Sequence, residues 1–154
     1  MTTRHKLQTQ PLSKERLRLW LKLLKASSLI EDEVRRRLRA ECNWTLPRFD
    51  VMSALARSPD GLKMSEISRL LRVSNGNVTG IVDTLTDEGL ALRVAVPGDR
   101  RANRVQLTSK GQALFADHAS AHEGWINEIL GDLGPDDIDG MIRRLEHLNT
   151  FLEG

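Results

Sequence analysis

The sequence predicts a mainly helical fold that carries one small β-hairpin and is flanked by long helices. Three observations lead to this prediction. Apolar residues recur every three or four positions over long stretches at both ends of the 154-residue chain. The stretch from 61 to 89 contains two short helical patterns joined by a tight connection. Two alternating, strand-like runs separated by a turn cluster follow it.

The first long helix is predicted from about Ser13 to Glu41, with Ser13 as its N-cap. Pro47 marks the first turn of the next helix, and the run from Ser58 to Gly61 is typical of a turn. The apolar stripe of the first helix consists of Leu17, Trp20, Leu21, Leu24, Ile30, Val34 and Leu38.

Thr108 is predicted to cap another long helix, and a last helix follows a break at Gly131 to Pro135. One small lobe cannot cover three long apolar stripes, so a homodimer is expected, with a monomeric bundle as the alternative. The expected organisation is a single chain, 1–154, with dimerisation helices at 13–45 and 109–152 around a lobe at 46–108.

The lobe contains the pattern of a helix-turn-helix. Ile67, Leu70 and Leu71 form the apolar face of its first helix, and Ser74 or Asn75 can cap the second. Gly89 stands where a left-handed residue ends a helix. The apolar face of the second helix consists of Val78, Ile81, Val82 and Leu85.

The other face of that second helix carries short or polar side chains, which would let its backbone approach base edges in a DNA major groove. Asparagine can pair bidentately with adenine, and a threonine methyl can meet a thymine methyl. Asparagine and glycine are poor helix formers, so their presence favours a binding role over an ordinary solvated face. These candidate DNA-binding residues are Asn75, Gly76, Asn77, Thr79 and Gly80.

A hairpin is predicted from Ala91–Val96 and Arg104–Thr108, with a turn cluster from Pro97 to Asn103 between them. An arginine at such a tip can enter a narrow minor groove. The alternative is a solvated loop in which Asp99 pairs with an arginine and stabilises little. The candidates at the tip are Arg100 and Arg101, and further phosphate contacts are expected from Arg69, Arg72, Arg93 and Lys110.

Charge and composition fit a soluble protein that orients one face toward a polyanion. Residues 1–56 carry 12 Lys and Arg against 6 Asp and Glu, whereas residues 111–154 carry 2 against 9. The single Cys42 excludes an intramolecular disulfide. The polar N-terminus lacks a signal-peptide pattern and no stretch is long enough to span a membrane, so a cytoplasmic protein without a membrane partner is expected.

The run from the helix-turn-helix into the hairpin resembles the MarR family of bacterial regulators. Asp99, Arg101 and Val105 stand in the register of its signature, which closes here with Leu107-Thr108. The resemblance covers about Leu46 to Leu148. It implies a homodimer that binds palindromic operator DNA, usually as a repressor, and releases it when a small molecule binds. It also implies that Arg101 is the minor-groove residue, while the position after Thr79, often arginine in the family, is Gly80 here.

The resemblance places effectors between the dimerisation helices and the lobe. An arginine beside an indole suits an aromatic carboxylate. The TLPRFDVM and VSNGNVTGIVD runs resemble members that control aromatic-acid catabolism, some of which sense coenzyme A thioesters. The surplus arginines Arg35–Arg37 and Arg39 could then bind phosphates, although a solvated helix face explains each of them singly. The candidate effector ligands are Arg16, Trp20, Trp44, Arg48, His118 and His122.

The sequence gives little support to an enzyme or a metal site. The four histidines are scattered, and neither a nucleophile elbow nor a phosphate-binding glycine loop occurs, so the sequence favours neither an enzyme nor a bound cofactor. His118 and His122 lie four residues apart but lack a nearby third ligand, so no metal is expected. A winged-helix module that binds proteins or RNA, without operator-specific DNA binding, is the alternative function.

Overall fold

The computed structural model describes residues 11–72 and 75–154, without the side chains of Asn75 and of residues 100–102. The described residues form two compact units, one ending at His118 and the other spanning Ala119–Gly154. In chain order the elements are α1 (Leu12–Arg37), α2 (Leu46–Ala56), β1 (Leu62–Lys63), α3 (Met64–Leu71), α4 (Asn75–Asp87), β2 (Ala91–Val96), β3 (Asp99–Leu107), α5 (Ser109–Ile129) and α6 (Pro135–Glu153). The predicted mainly helical fold with a small hairpin is confirmed.

Helix α1 starts one residue earlier than predicted. The carbonyl of Pro11 already accepts hydrogen bonds from the amides of Lys14 and Glu15, at 3.0 and 3.4 Å. Ser13 therefore lies inside the first turn, and its predicted role as the N-cap is wrong. At its other end α1 passes into a π-helical turn, Leu38–Cys42, which ends at a left-handed Asn43 with φ 55°.

The core of the lobe lies between α2, α3 and α4. Ile67 anchors α3 with no exposed surface, whereas Leu70 is 64% exposed, so the prediction that Leu70 belongs to the buried face is wrong. On an eight-residue helix only one narrow stripe can face the neighbouring helices, and Leu70 lies outside it. The fully buried side chains of the lobe include Val51, Met52, Leu55, Ile67, Val78, Val82, Leu85 and Val105.

The three strands form an antiparallel sheet in the order β1-β3-β2. The short β1, which the sequence pattern did not reveal, pairs Leu62 with Val105. The turn of the hairpin is limited to Pro97 and Gly98, so the predicted loop from Pro97 to Asn103 is too long. The pairing jumps from Ala95 with Asn103 to Val96 with Asp99, which leaves residues 100–102 as a bulge in β3.

Thr108 joins the sheet to α5 and caps this helix as predicted. Its hydroxyl accepts a hydrogen bond from the amide of Gly111 at 3.0 Å and donates one to the carbonyl of Gly89 at 2.7 Å. This single side chain therefore fixes both the start of α5 and the end of the connection after α4.

Candidate nucleic-acid interface and ligand site

Helix α4 is the candidate recognition helix, and its two faces differ sharply. Val78, Val82 and Leu85 are fully buried against the lobe, as predicted. Ile81 is only partly buried, because it lies at the edge of this face. The opposite face is exposed and carries Gly76, Asn77, Thr79, Gly80 and Asp83.

Against the described residues, the two glycines of the exposed face have no packing role. A Cβ built on Gly76 or on Gly80 would meet nothing within 4 Å. Neither residue has a positive φ, so neither needs the conformational freedom of glycine. Each nonetheless destabilises the helix by about 1 kcal/mol relative to alanine. A smooth strip of backbone thus faces outward at a cost in stability, which suits close approach of another molecule.

The C-terminal end of α4 is held by several polar contacts. Gly89 adopts φ 75°, as predicted, and the Leu90 amide donates to the Leu85 carbonyl at 2.9 Å, which completes the helix cap. Arg93 of β2 donates to the carboxylate of Asp83 at 2.6 Å. Asp83 therefore engages Arg93, which the sequence predicted as a phosphate contact.

The predicted phosphate contacts Arg69, Arg72 and Lys110 are exposed. Arg72 ends α3 in the left-handed region, with φ 54°. The backbone of Arg100 and Arg101 lies in the β3 bulge. Their side chains, that of Asn75, and Ser74 as a candidate cap lie outside the described residues.

A second candidate site is built around Trp44, Arg48 and His118. The Trp44 and His118 rings meet edge to face with their centroids 4.0 Å apart. The Arg48 guanidinium carbon lies 4.8 Å from the centroid of the Trp44 ring, within cation–π range. Trp44 precedes α2, Arg48 lies in the first turn of α2, and His118 lies in α5. Three of the six predicted effector ligands are thus brought together.

The electrostatics of this cluster favour a neutral histidine beside a cation. Burial lowers the pKa of His118, and the Arg48 charge lowers it further, while Asp117 opposes both effects. Among the described residues, Nε of Arg48 is buried without a hydrogen-bond partner. Arg48 therefore keeps an unused donor that an anionic group could accept.

Arg48 also lines a cleft of about 410 Å³ that borders α4. This volume lies in the range of about 300–1,000 Å³ found for small-molecule sites. The cleft is lined by Asn43, Thr45, Arg48, Gly76, Asn77, Gly80, Ile81 and Thr84. The lining includes three candidate DNA-binding residues, so a molecule in the cleft would touch the recognition helix itself.

Comparison with known proteins identifies the family. The model of the MarR family matches residues 44–102. The chain is similar to a MarR family transcriptional regulator from Silicibacter pomeroyi of known structure, with 31% identity, a TM-score of 0.71, and coverage of 94% of this chain and 98% of that one. The chain belongs to the MarR family. Its winged helix is accordingly that of a DNA-binding transcriptional regulator.

Two further relatives align with most of the chain. The transcriptional regulator MhqR of Bacillus subtilis is 26% identical over 128 residues, which is 83% of this chain and 87% of that protein. A MarR family protein of Mycobacterium tuberculosis, solved in complex with salicylic acid, is 26% identical with a TM-score of 0.68. That alignment covers 82% of this chain and 92% of that one. The first of these is named a transcriptional regulator and the second a MarR family protein.

Two other predicted effector ligands, Arg16 and Trp20, are exposed on α1. Trp20 is 54% exposed on the N-terminal half of α1, and Arg16 is also exposed. Leu38, whose carbonyl accepts from the Trp44 amide, lies roughly 27 Å further along α1 than Trp20, at a rise of about 1.5 Å per residue. His122 belongs to the second unit, where its ring lies 6.4 Å from that of Trp125.

Acidic neighbours already engage the arginine run of α1. Arg35 donates to Asp32 at 3.1 Å, and Arg36 and Arg37 both donate to Glu33, at 2.6 and 2.9 Å. These hydrogen bonds lower the pKa of Glu33 to about 2. Such pairing favours the interpretation of this run as a solvated, ion-paired helix face over a site for coenzyme A phosphates.

The described residues also bear on membrane insertion, metal binding and the reactivity of Cys42. No helix within 11–72 and 75–154 has both the length and the apolar character needed to cross a bilayer. In the same residues, no three His, Cys, Asp or Glu side chains are grouped as a metal site would require.

Burial, reinforced by Glu41, raises the pKa of the Cys42 thiol, which makes it a poor nucleophile.

Sequence reasoning missed the polar residues that complete the ligand cleft. Asn43, Thr45 and Thr84 line it, and Glu88 hydrogen-bonds to Arg48. Thr45 carried a usable signal, because it precedes Pro47 as an N-cap and accepts from the Arg48 amide at 3.3 Å. The pairing of Arg48 with a residue 40 positions away had no local signature.

Proposed function

We propose that this MarR-family chain acts as a homodimer on palindromic operator DNA, with α4 in the major groove and the β2–β3 hairpin at the minor groove. The observation that carries the proposal is the exposed strip of Gly76, Asn77, Thr79 and Gly80 on an otherwise well-packed helix. Glycines that no intramolecular contact requires allow the backbone to come close to base edges. Asn77 and Thr79 supply hydrogen-bonding and methyl groups for readout.

Exposed apolar stripes support the dimer. On α1, Leu17, Trp20 and Leu21 are 57%, 54% and 56% exposed. Contiguous exposed apolar surface of this kind is typical of an interface. A second stripe on α6 consists of Ile138, Met141, Ile142, Leu145, Leu148 and Leu152. The proposed organisation therefore keeps 13–45 and 109–152 as dimerisation segments and 46–108 as the DNA-binding lobe.

The positive side chains around the recognition helix would set its register. Arg69 on α3 and Arg72 at its end are exposed, and we propose that they contact phosphates and orient α4 in the groove. Arg100 and Arg101, in the β2–β3 hairpin (the wing), are proposed to contact DNA. In a dimer, two recognition helices about 34 Å apart would meet successive major grooves on one side of the duplex.

The proposed effector is an aromatic carboxylic acid that binds at Trp44, Arg48 and His118. Arg48 offers a guanidinium with an unsatisfied Nε, and Trp44 offers a ring for stacking. The relative crystallised with salicylic acid shows that an aromatic acid can bind to a protein of this type. Because Arg35–Arg37 are ion-paired, the free acid fits better than its coenzyme A thioester. We propose that the acid releases DNA, so the chain represses genes of aromatic-acid catabolism.

The wing tests the DNA-binding proposal. R101A is expected to lower the affinity for a duplex from the chain's own upstream region by roughly five- to 150-fold, the effect of one lost contact of about 1–3 kcal/mol. Fluorescence anisotropy measures the affinity and sedimentation confirms that the dimer persists. R143A is the matched control, because Arg143 is an exposed arginine that pairs with Asp139 on α6. Equal DNA affinity for the two variants would contradict the proposed role of the wing.

The effector proposal has its own experiment. The DNA-binding assay is repeated with benzoate, 4-hydroxycinnamate and their coenzyme A thioesters, on the wild type and on R48K. The free acids are expected to release DNA from the wild type and to act weakly on R48K, because lysine cannot form the bidentate contact. An equal response of both proteins would show that Arg48 does not bind the effector.

A further inference from the structure

Arg48 has two different roles in the described structure. It lines the cleft beside the recognition helix, and its Nη1 also donates to Oε1 of Glu88 at 3.3 Å while Nη2 donates to Oε2. The Arg48 side chain is 18% exposed and that of Glu88 is 45% exposed. The Arg48 guanidinium, which lines the cleft, is thus already paired with a carboxylate of the same chain.

The position of Glu88 connects Arg48 to the end of the recognition helix. It directly follows α4, and its amide donates to the carbonyl of Thr84 in the last turn at 3.0 Å. The carbonyl of Glu88 also accepts from Nζ of Lys110 at 3.3 Å. The Arg48–Glu88 pair therefore connects the start of α2 to the C-terminal end of the recognition helix.

The geometry of the pair leaves Arg48 incompletely satisfied. Glu88 approaches the two terminal nitrogens of the guanidinium, whereas the buried Nε makes no hydrogen bond among the described residues. A carboxylate that approaches from the side can use Nε together with one terminal nitrogen. Because Nε is buried, such a ligand reaches this donor only when the guanidinium turns away from Glu88.

We propose that Glu88 is an internal competitor for the anion site on Arg48, and that an aromatic carboxylate displaces it and so releases the end of the recognition helix. This inference rests on the proposed function, since it supplies the regulation of the same site. The Glu88 side of the pair is 45% exposed, so solvent weakens the interaction and an effector with a better geometry can replace it. DNA binding favours the paired form, and effector binding favours the open form.

In this arrangement, DNA binding and effector binding oppose each other through the pairing of Arg48 with Glu88. Any ligand that weakens DNA binding by some factor must be weakened by DNA to the same extent. The coupling passes through Glu88, so removing its charge should favour the effector and reduce the communication. If Glu88 had a merely structural role, removing its charge would not make the protein bind the effector more tightly.

The experiment compares E88Q with D87N and the wild type. Asp87 is the matched control, because it is an exposed acid one position earlier on the same helix end. Benzoate is the probe, and its affinity is measured calorimetrically with and without operator duplex. E88Q is expected to bind benzoate about five- to tenfold more tightly than the wild type, and its benzoate affinity should hardly depend on DNA. D87N should behave like the wild type in both respects.

The possible failures can be told apart. If the wild type does not bind duplex DNA, the proposed function itself is wrong. If the wild type binds DNA but E88Q and D87N bind benzoate with equal affinity and equal coupling to DNA, the competition by Glu88 is wrong and the proposed function remains. Absence of benzoate binding to E88Q, whose Arg48 no longer has a charged partner, would also overturn the inference.

Discussion

The guanidinium of Arg48 hydrogen-bonds to the carboxylate of Glu88, 40 residues further along the chain. One of these residues lies in the first turn of α2 and the other directly after the recognition helix α4. Because Arg48 also stands over the Trp44 ring, a single side chain contacts both a candidate ligand platform and the DNA-reading element. The Arg48 side chain thus connects the Trp44 ring to the residue that directly follows α4.

Two glycines of α5 should respond in opposite ways to alanine. A Cβ on Gly111 would lie 2.0 Å from the carbonyl oxygen of Leu90, whereas one on Gly124 would meet nothing within 4 Å. G111A is expected to destabilise the fold by about 1–3 kcal/mol through overpacking. G124A should stabilise it by about 0.5–1 kcal/mol through helix propensity. Urea denaturation measures both, and a stable G111A would contradict the close packing of α5 on the Leu90 backbone.

Gly80 should show a conflict between stability and function. G80A is expected to raise the free energy of unfolding by about 0.5–1 kcal/mol, because the helix gains alanine in open space. The added methyl group should separate the helix from the bases and lower operator affinity by roughly tenfold, equivalent to a contact of 1–3 kcal/mol. G124A provides the control, with a similar gain in stability and unchanged DNA binding. An unaltered operator affinity for G80A would place Gly80 outside the DNA interface.

Asp50 should make stability depend on pH. Burial raises its pKa above the ordinary 3.8, Glu31 raises it further, and Arg57 opposes them. A raised pKa means that folding favours the protonated acid, so its contribution is complete below the unfolded pKa of about 3.9 and is lost as pH rises through the folded value. D50N should therefore be more stable than the wild type at pH 7 and no more stable below about pH 3.5. D132N, an exposed loop variant, should show no such trend in denaturation experiments.

Features of the structure that depend on local chemistry could be predicted from the sequence. A hydroxyl at Thr108 caps α5, and Gly89 takes the left-handed conformation that ends α4, because both roles are decided by a residue and its near neighbours. The buried face of α4 followed from the spacing of Val78, Val82 and Leu85 for the same reason.

Features that depend on distant partners could not be predicted. The bulge in β3 is set by its register against β2, so the prediction of a long loop at the hairpin tip was wrong. Leu70 has the same character as its buried neighbour Ile67, and only the direction of packing leaves it exposed. For the ligand site, the sequence supplied Trp44, Arg48 and His118 as candidates, but it could not separate them from Trp20 and His122.

The central claim, that paired lobes bind duplex DNA through α4 and the wing, is tested most directly by the salt dependence of operator affinity. Anisotropy titrations of the wild-type protein on its upstream duplex should give a logarithm of affinity that falls linearly with the logarithm of salt concentration. The slope should be close to −0.9 for each neutralised phosphate, with two chains bound per duplex. Affinity that does not change with salt, or the absence of duplex binding at low ionic strength, would contradict the claim.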